Sequence, residues 1–200
     1  MKTILQKITL VTFIYVASLS PSGAQNWQYV GSPYFNQTAS MFDYLYFADL
    51  EFNAAGDAFV GYWKYSQELS FAKFSGGSWT QLASPGTFPV SNVDIEVKGN
   101  NYYMAYSGVR SNNMYVFVKK YNGTSWSQLG DSLLLGNSGS GGYFEFILDN
   151  NEVPTLLGVV STPLLGDKQV MQYNGSAWVN YLTFPNSAAT IFGESSTIFD

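Results

Sequence analysis

Three carboxylates recur at equivalent positions and are the side chains best suited to chemistry. Asp49, Asp94 and Glu145 lie 30, 32 and 33 residues before three successive tryptophans. Carboxylate oxygens that share one space can bind Ca²⁺, and two carboxyl groups about 5–10 Å apart can hydrolyse a glycosidic bond. The solvated face of a half-buried strand would carry carboxylates in the same way. This structural interpretation is favoured, because charged side chains mostly stay in contact with water.

The missing residue types exclude several other kinds of site. The chain has no His and no Cys, so a Ser-His-Asp or Cys-His arrangement cannot form. Zinc and copper sites lose their preferred ligands for the same reason. No glycine-rich phosphate loop follows a strand and opens a helix, so nucleotide chemistry has no support. We therefore assign no catalytic residue and no metal ligand, and Ca²⁺ at the three carboxylates is the one cofactor considered.

A short hairpin motif recurs at near-equal spacing. Residues 74–79, 121–126 and 173–178 read FSGGSW, YNGTSW and YNGSAW. The first aromatic residue would end one strand, the glycine would take a positive φ in a tight turn, and the Trp would open the next strand. An earlier tryptophan extends the series, so the Trp spacings are 52, 47 and 52 residues. We assign a structural role in the repeat to Gly76, Trp79, Gly123, Trp126, Gly175, Trp178 and Trp27.

The segments between the tryptophans have the pattern of β-strands. In the unit that ends at Trp126, residues 93–97, 102–106 and 114–121 are rich in β-branched and aromatic residues and are separated by Gly and Asn turns. Four strands in a unit of about 50 residues predict an all-β fold, a β-propeller. A sandwich of two sheets is the alternative, but it does not require a recurring Trp. The predicted blades are residues 32–82, 83–130 and 131–182, with the start of a further blade at 183–200.

Both ends of the sequence carry further expectations. Residues 1–24 have the positive start, the apolar run of 12 residues and the small residues at a cleavage site that define a secretory signal peptide. The propeller repeats would then fill residues 25–200, with residues 26–30 as an outer strand that completes the last blade. Residues 196–200 are predicted to be the first strand of a further blade. Since a closed ring needs at least about four blades, we expect the sequence to be part of a longer chain.

Charge and hydropathy limit the compartment and the partners. After residue 24 no apolar run is long enough to span a membrane, so we expect a secreted or cell-surface protein without a membrane span. Its 14 acidic residues against 7 basic ones give a net charge of −7, which excludes nucleic acid as a partner. Without cysteines, the exported fold must be held by its core alone.

The hairpin motif resembles the Asp-box of sialidase-like propellers, which also lies between the third and fourth strands and ends in a turn followed by Trp. The Asp that names this box is absent from all three copies. The repeat length is similar to that of kelch-type blades, although the kelch Gly-Gly pair after the second strand is absent. The chain also resembles exported repeat proteins of Gram-negative bacteria that use a C-terminal sorting domain. These resemblances cover residues 27–200 and imply a propeller architecture. Sialidase-type recognition by three arginines is not implied, because the sole arginine is Arg110.

Together these features predict an exported, non-catalytic propeller that binds a glycan or a surface protein. Its ligand would lie at a channel mouth or at loops at residues 107–113 and 161–167. A glycoside-active enzyme that uses the three carboxylates, and a purely structural repeat module, are the alternatives. Some tyrosines could stack on sugar rings, but packing between blades is the favoured role for them; they are Tyr102, Tyr103, Tyr106 and Tyr115.

Overall fold

The computed structural model describes residues 45–64, 68–87, 90–138, 143–160 and 167–185. These residues form three antiparallel sheets and contain no helix, so none of them could span a membrane as a helix. The all-β prediction is confirmed. The predicted signal peptide, Trp27 with the strand at residues 26–30, and the strand at residues 196–200 lie outside the described residues.

The strands of each sheet pair antiparallel, and the first three strands of each sheet are neighbours in sequence order. Sheet 1 consists of β1 (Leu45–Phe52), β2 (Ala58–Lys64), β3 (Glu68–Ser75), β4 (Ser78–Gln81) and β5 (Gly86–Thr87). Sheet 2 consists of β6 (Val90–Lys98), β7 (Asn101–Arg110), β8 (Asn113–Tyr121), β9 (Trp126–Gln128) and β10 (Leu133–Asn137). Sheet 3 consists of β11 (Glu145–Leu148), β12 (Pro154–Val160), β13 (Lys168–Tyr173) and β14 (Trp178–Phe184).

The outer strand is interrupted in the first two sheets. In sheet 1 both β4 and β5 pair with β3, and in sheet 2 both β9 and β10 pair with β8. Pro85 and Gly130, the latter with φ of 61°, lie in the two interruptions, where they break a regular strand. In sheet 3 the outer strand β14 is continuous, with one register shift opposite Val170 and Met171. Sheets 1 and 2 therefore extend to Thr87 and Asn137, beyond the unit ends at residues 82 and 130 that the sequence predicted.

The three hairpins have the predicted form. Phe74 and Trp79 face each other across the turn with ring centroids 5.3 Å apart, and the equivalent pairs in sheets 2 and 3 are 5.2 and 5.4 Å apart. Gly123 takes a φ of 99°, which few side chains tolerate. Beside it, the Oδ1 atom of Asn122 accepts hydrogen bonds from the backbone N–H groups of Thr124 and Ser125. The small and polar residues of the motif therefore form the turn, and the aromatic pair closes it.

One predicted loop is wrong. Residues 107–113 were expected to form a ligand-binding loop, but β7 continues to Arg110 and β8 begins at Asn113. The connection is a two-residue turn in which Ser111 and Asn112 have φ of 51° and 63°. Such a turn matches the twist of a hairpin, so the flanking residues remain paired. Of the second predicted loop, residues 161–166 lie outside the described residues.

The core lies between successive sheets. We call the face of a sheet that is turned toward the next sheet its forward face, and the opposite face its backward face. Phe59 and Phe71 on the forward face of sheet 1 pack against Ile95, Met104 and Trp126 on the backward face of sheet 2. A second cluster joins the forward face of sheet 2 to the backward face of sheet 3 in the same way.

The aromatic residues that were weighed as sugar-stacking groups mostly belong to this core. Tyr103 and Tyr106 are buried, and Tyr102 stacks on Phe71 and Tyr121. Tyr115 is half-buried on β8. The packing role is therefore confirmed for the first three.

Candidate functional site

Asp49 connects the innermost strands of sheets 1 and 2. It lies on β1 opposite Gly61, and its side chain is on the forward face of sheet 1. Its Oδ2 atom accepts a hydrogen bond from the backbone N–H of Ile95 at 2.9 Å, and its Oδ1 atom accepts one from the N–H of Leu50 at 2.8 Å. The carboxylate therefore holds an edge of the next sheet that has no strand partner of its own.

Asp94 repeats this contact between sheets 2 and 3. It lies on β6 opposite Ala105, and its Oδ2 atom accepts a hydrogen bond from the backbone N–H of Phe146 at 2.8 Å. Glu96, two residues along the same strand, lies within hydrogen-bonding reach of the N–H of Leu148. In both interfaces the donor is the residue that follows the next carboxylate of the series.

The carboxyl groups at the first interface are close enough to influence one another. Burial raises the pKa of Asp94 from its ordinary value of 3.8 to about 8; the charges of Asp49 and Glu96 add to this shift, and the N–H of Phe146 opposes it. Burial, followed by repulsion from Glu51, raises the pKa of Glu96 to about 7. Burial and the nearby Asp49 also raise the pKa of Glu51.

The raised pKa of Asp94 keeps its carboxyl group protonated at neutral pH. Burial is the main cause of this shift, and the nearby Asp49 adds to it. The Oδ2 atom of Asp94 accepts from the backbone of sheet 3.

Glu145 does not join this pair. It is exposed and lies on β11 opposite Leu157, on the forward face of sheet 3. The structure thus brings together two of the three aligned carboxylates, and ligand binding by the three stays a prediction. Within the part of the chain that the structure describes, no three acidic side chains are grouped so as to hold a metal ion.

The outer edge of each interface carries a second repeated hydrogen bond. The indole N–H of Trp126 donates to the backbone carbonyl of Ala83 at 2.6 Å, and that of Trp178 donates to the carbonyl of Leu129 at 2.8 Å. Both acceptors lie where the outer strand of the preceding sheet is interrupted. Trp126 and Trp178 therefore bind the preceding sheet, whereas Asp49 and Asp94 bind the following sheet. Trp79 is also on a backward face, where it packs against Val60, Tyr62 and Ala72.

One exposed aromatic residue at the inner strands was not predicted from the sequence. Tyr143 immediately precedes β11 and is 82% exposed, more than any other large apolar or aromatic side chain among the described residues. Its carbonyl oxygen packs against Gly158, where a Cβ atom would approach it to 2.6 Å. Gly158 is the bulge residue of β12, with φ of 91°. Bulges often direct a neighbouring side chain outward. The exposure of Tyr143 could not be predicted, because the run of glycines before this residue resembles an ordinary loop.

The chain has no match among known protein families, and no curated protein matches its sequence. Its function must therefore be argued from its own residues.

Proposed function

We propose that this chain is an exported, non-catalytic β-propeller module that binds a ligand, with glycans as the first ligand class. The observation that carries the proposal is the exposure of Tyr143 immediately before β11, where its backbone packs against Gly158. An exposed aromatic ring offers a flat apolar surface, on which the C–H face of a sugar ring can stack.

The role of the buried carboxylates supports a scaffold rather than an enzyme. Asp49 and Asp94 each accept a backbone N–H of the neighbouring sheet. A general acid must lose and regain its proton next to a substrate, and the buried Asp94 is engaged in this contact between sheets.

The arrangement of the three sheets supports the propeller. Sheets 1 and 2 each begin with a strand whose aspartate reaches the first strand of the next sheet, and each ends with an outer segment that accepts a hydrogen bond from the next tryptophan. Contacts of this kind arrange four-stranded sheets around an axis near their first strands, as in propeller blades.

The binding proposal is tested by a glycan array with the purified chain after residue 24, first with Ca²⁺ and then with chelator. Tyr143→Ala should reduce binding at least tenfold, because the ring supplies the stacking surface. Tyr181→Ala is the matched control, since this tyrosine is 66% exposed but lies on the outer strand β14. Binding should persist in the control and in chelator, because no metal ligand contributes to the stacking surface.

Two outcomes would overturn the proposal. Equal glycan binding by Tyr143→Ala and the native protein would show that Tyr143 does not form the binding surface. An array on which no glycan is bound would show that glycans are not the ligand class.

A glycoside-active enzyme is the second candidate, because the raised pKa of Asp94 is a property that a general acid needs. Hydrolysis of aryl glycosides that disappears in Asp94→Asn would establish this enzyme in place of the binding module.

A further inference from the structure

Two of the three hairpin turns contain the dipeptide Asn–Gly, in which a side-chain amide can react with the backbone nitrogen that follows it. Asn122–Gly123 and Asn174–Gly175 are the two such pairs in the sequence, and all four residues are exposed. The equivalent hairpin of sheet 1 has Ser75 in place of the asparagine. Because glycine has no Cβ atom, it leaves its own nitrogen accessible to the preceding side chain.

The turn polarises the side-chain amide of each asparagine. The Oδ1 atom of Asn122 accepts the backbone N–H of Thr124 at 3.0 Å, that of Ser125 at 2.8 Å and the hydroxyl of Thr124 at 3.0 Å. The Oδ1 atom of Asn174 accepts the equivalent three hydrogen bonds from Ser176 and Ala177. Donors placed at a carbonyl oxygen stabilise the negative charge that this oxygen gains when a nucleophile adds to its carbon.

The backbone nitrogen beside each amide is not engaged by the fold. Among the residues that the structure describes, neither Gly123 nor Gly175 donates its N–H to a hydrogen bond. A Cβ atom built at either glycine would meet no atom within 4 Å, so the space beside it is open to water. No hydrogen bond has to break before this nitrogen attacks the neighbouring amide.

We propose that Asn122 and Asn174 are sites of spontaneous deamidation in the folded chain. The nitrogen of Gly123 loses its proton to hydroxide and bonds to Cγ of Asn122, while the bond from Cγ to the side-chain nitrogen breaks and that nitrogen takes a proton and leaves as ammonia. Water then opens the resulting five-membered imide at one of its two carbonyl groups. Opening at the side-chain carbonyl gives aspartate, and opening at the backbone carbonyl gives isoaspartate. Gly175 acts on Asn174 in the same way.

The two products affect the hairpin differently. Aspartate keeps both side-chain oxygens, and as a carboxylate it accepts the N–H groups of Thr124 and Ser125 more strongly than the amide does. Isoaspartate adds a methylene group to the backbone between Tyr121 and Trp126, whose rings lie 5.2 Å apart across the turn. This extension loosens the hydrogen bond from Trp126 to Ala83, which joins sheet 2 to sheet 1. Deamidation therefore adds a negative charge at each site, and its isoaspartate form weakens a contact between sheets.

Ageing of the purified full chain in mildly alkaline buffer tests the proposal, with peptide mapping by mass spectrometry to separate asparagine, aspartate and isoaspartate. Asn53 is the matched control, because its Oδ1 atom also accepts backbone N–H groups but Ala54 follows it. Asn122 and Asn174 should deamidate about tenfold faster than Asn53 or more, since the Cβ atom of alanine crowds the closing ring. Asn122→Ser, which copies Ser75 of the first hairpin, should abolish the reaction at that turn and leave the rate at Asn174 unchanged.

A second variant tests the contribution of the turn itself. Thr124→Ala removes the hydroxyl donor to Asn122, so deamidation there should slow by about threefold, the effect of one weak hydrogen bond. Asn174 should keep its native rate in this variant. A faster reaction at Asn122 in Thr124→Ala would overturn the proposal, because the turn would then restrain the amide. Deamidation of Asn122 and Asn174 no faster than that of Asn53, or only after the chain is unfolded in urea, would overturn it as well.

Discussion

Asp94 gives the structure a pH dependence opposite to that of most carboxylates in folded proteins. A carboxylate in an ion pair stabilises the folded state when it is charged, whereas the buried Asp94 does so when it holds a proton. Its pKa is about 8 in the folded chain and 3.8 in its ordinary environment. The stabilisation is therefore complete below about pH 4 and is lost as the pH rises toward 8. The raised pKa of Glu96, about 7, acts in the same direction.

We expect the free energy of unfolding to fall between about pH 4 and pH 8, by up to ~1.4 kcal/mol per pH unit for the proton that Asp94 retains in the folded state. Asp94→Asn should make this fall shallower. The amide of asparagine imitates the protonated carboxyl group, because its NH₂ can donate to Asp49 while its oxygen accepts from Phe146. Urea denaturation at one-unit pH intervals measures both slopes.

Glu145→Gln is the control for this pH series, since Glu145 is exposed and lies away from the carboxyl pair. It should have the slope of the native chain. A slope in Asp94→Asn that equals the native slope would show that Asp94 is ionised at neutral pH.

At the scale of the elements, the close packing of sheet 1 against sheet 2 depends on Gly61. A Cβ atom at this position would lie 2.4 Å from Cγ2 of Ile95 and 2.9 Å from Cε of Met104. We expect Gly61→Ala to destabilise the chain by about 1–3 kcal/mol, because the methyl group overpacks the interface. Thermal denaturation followed by circular dichroism measures the loss.

The same substitution in an Ile95→Ala background separates crowding from other effects of the alanine. Ile95→Ala removes the atom that clashes, so Gly61→Ala should then cost much less than it does alone. Equal costs in the two backgrounds would show that the two sheets can move apart to accommodate the methyl group. Gly61 would then not be the residue that allows β1 and β2 to approach β6.

The strands and hairpins could be predicted from the sequence because their signals are local. The aromatic–Gly–Trp pattern places the turn at Gly123 and the start of β9 at Trp126, as the structure has them. The strands β5 and β10 could not be predicted, since segments of two and five residues carry too little alternation. The turn at Ser111 and Asn112 lies where the sequence predicted one, but the extension of β7 to Arg110 was missed because Ser107 and Gly108 resemble a loop.

The candidate site was predictable only in part for a different reason. Alignment to the tryptophans identified the aspartates, but their partners are backbone N–H groups, which every residue except proline possesses. Nothing in the side chains of Ile95 or Phe146 marks them as donors. Nor does the residue type of Glu145 show that its side chain is exposed, because exposure depends on contacts between segments that are distant in the sequence.

At the scale of the whole molecule, stability is transmitted between neighbouring sheets. The two core clusters join sheet 1 to sheet 2 and sheet 2 to sheet 3. Molecules built in this way open unit by unit, because each unit depends on its neighbours alone. A defect at one interface should therefore remain local.

We expect Trp178→Phe to accelerate amide exchange in sheet 3 and to leave sheet 1 unchanged. Trp126→Phe should accelerate exchange in sheet 1 and in β6 of sheet 2. Each change leaves a backbone carbonyl without its indole donor and removes part of a half-buried ring, at a cost of about 1–3 kcal/mol. Exchange followed by mass spectrometry separates the sheets, and uniform acceleration in both variants would show that the three sheets unfold as one unit.

The opposite directions of the aspartate and tryptophan contacts bear on how such a chain could lengthen. Each unit carries a carboxylate acceptor on its forward face and an indole donor on its backward face, so the two faces of a single unit are complementary to each other. A tandem duplication would therefore join a unit to its own copy through contacts that both already possess. Copy number could change by recombination without a new interface having to evolve.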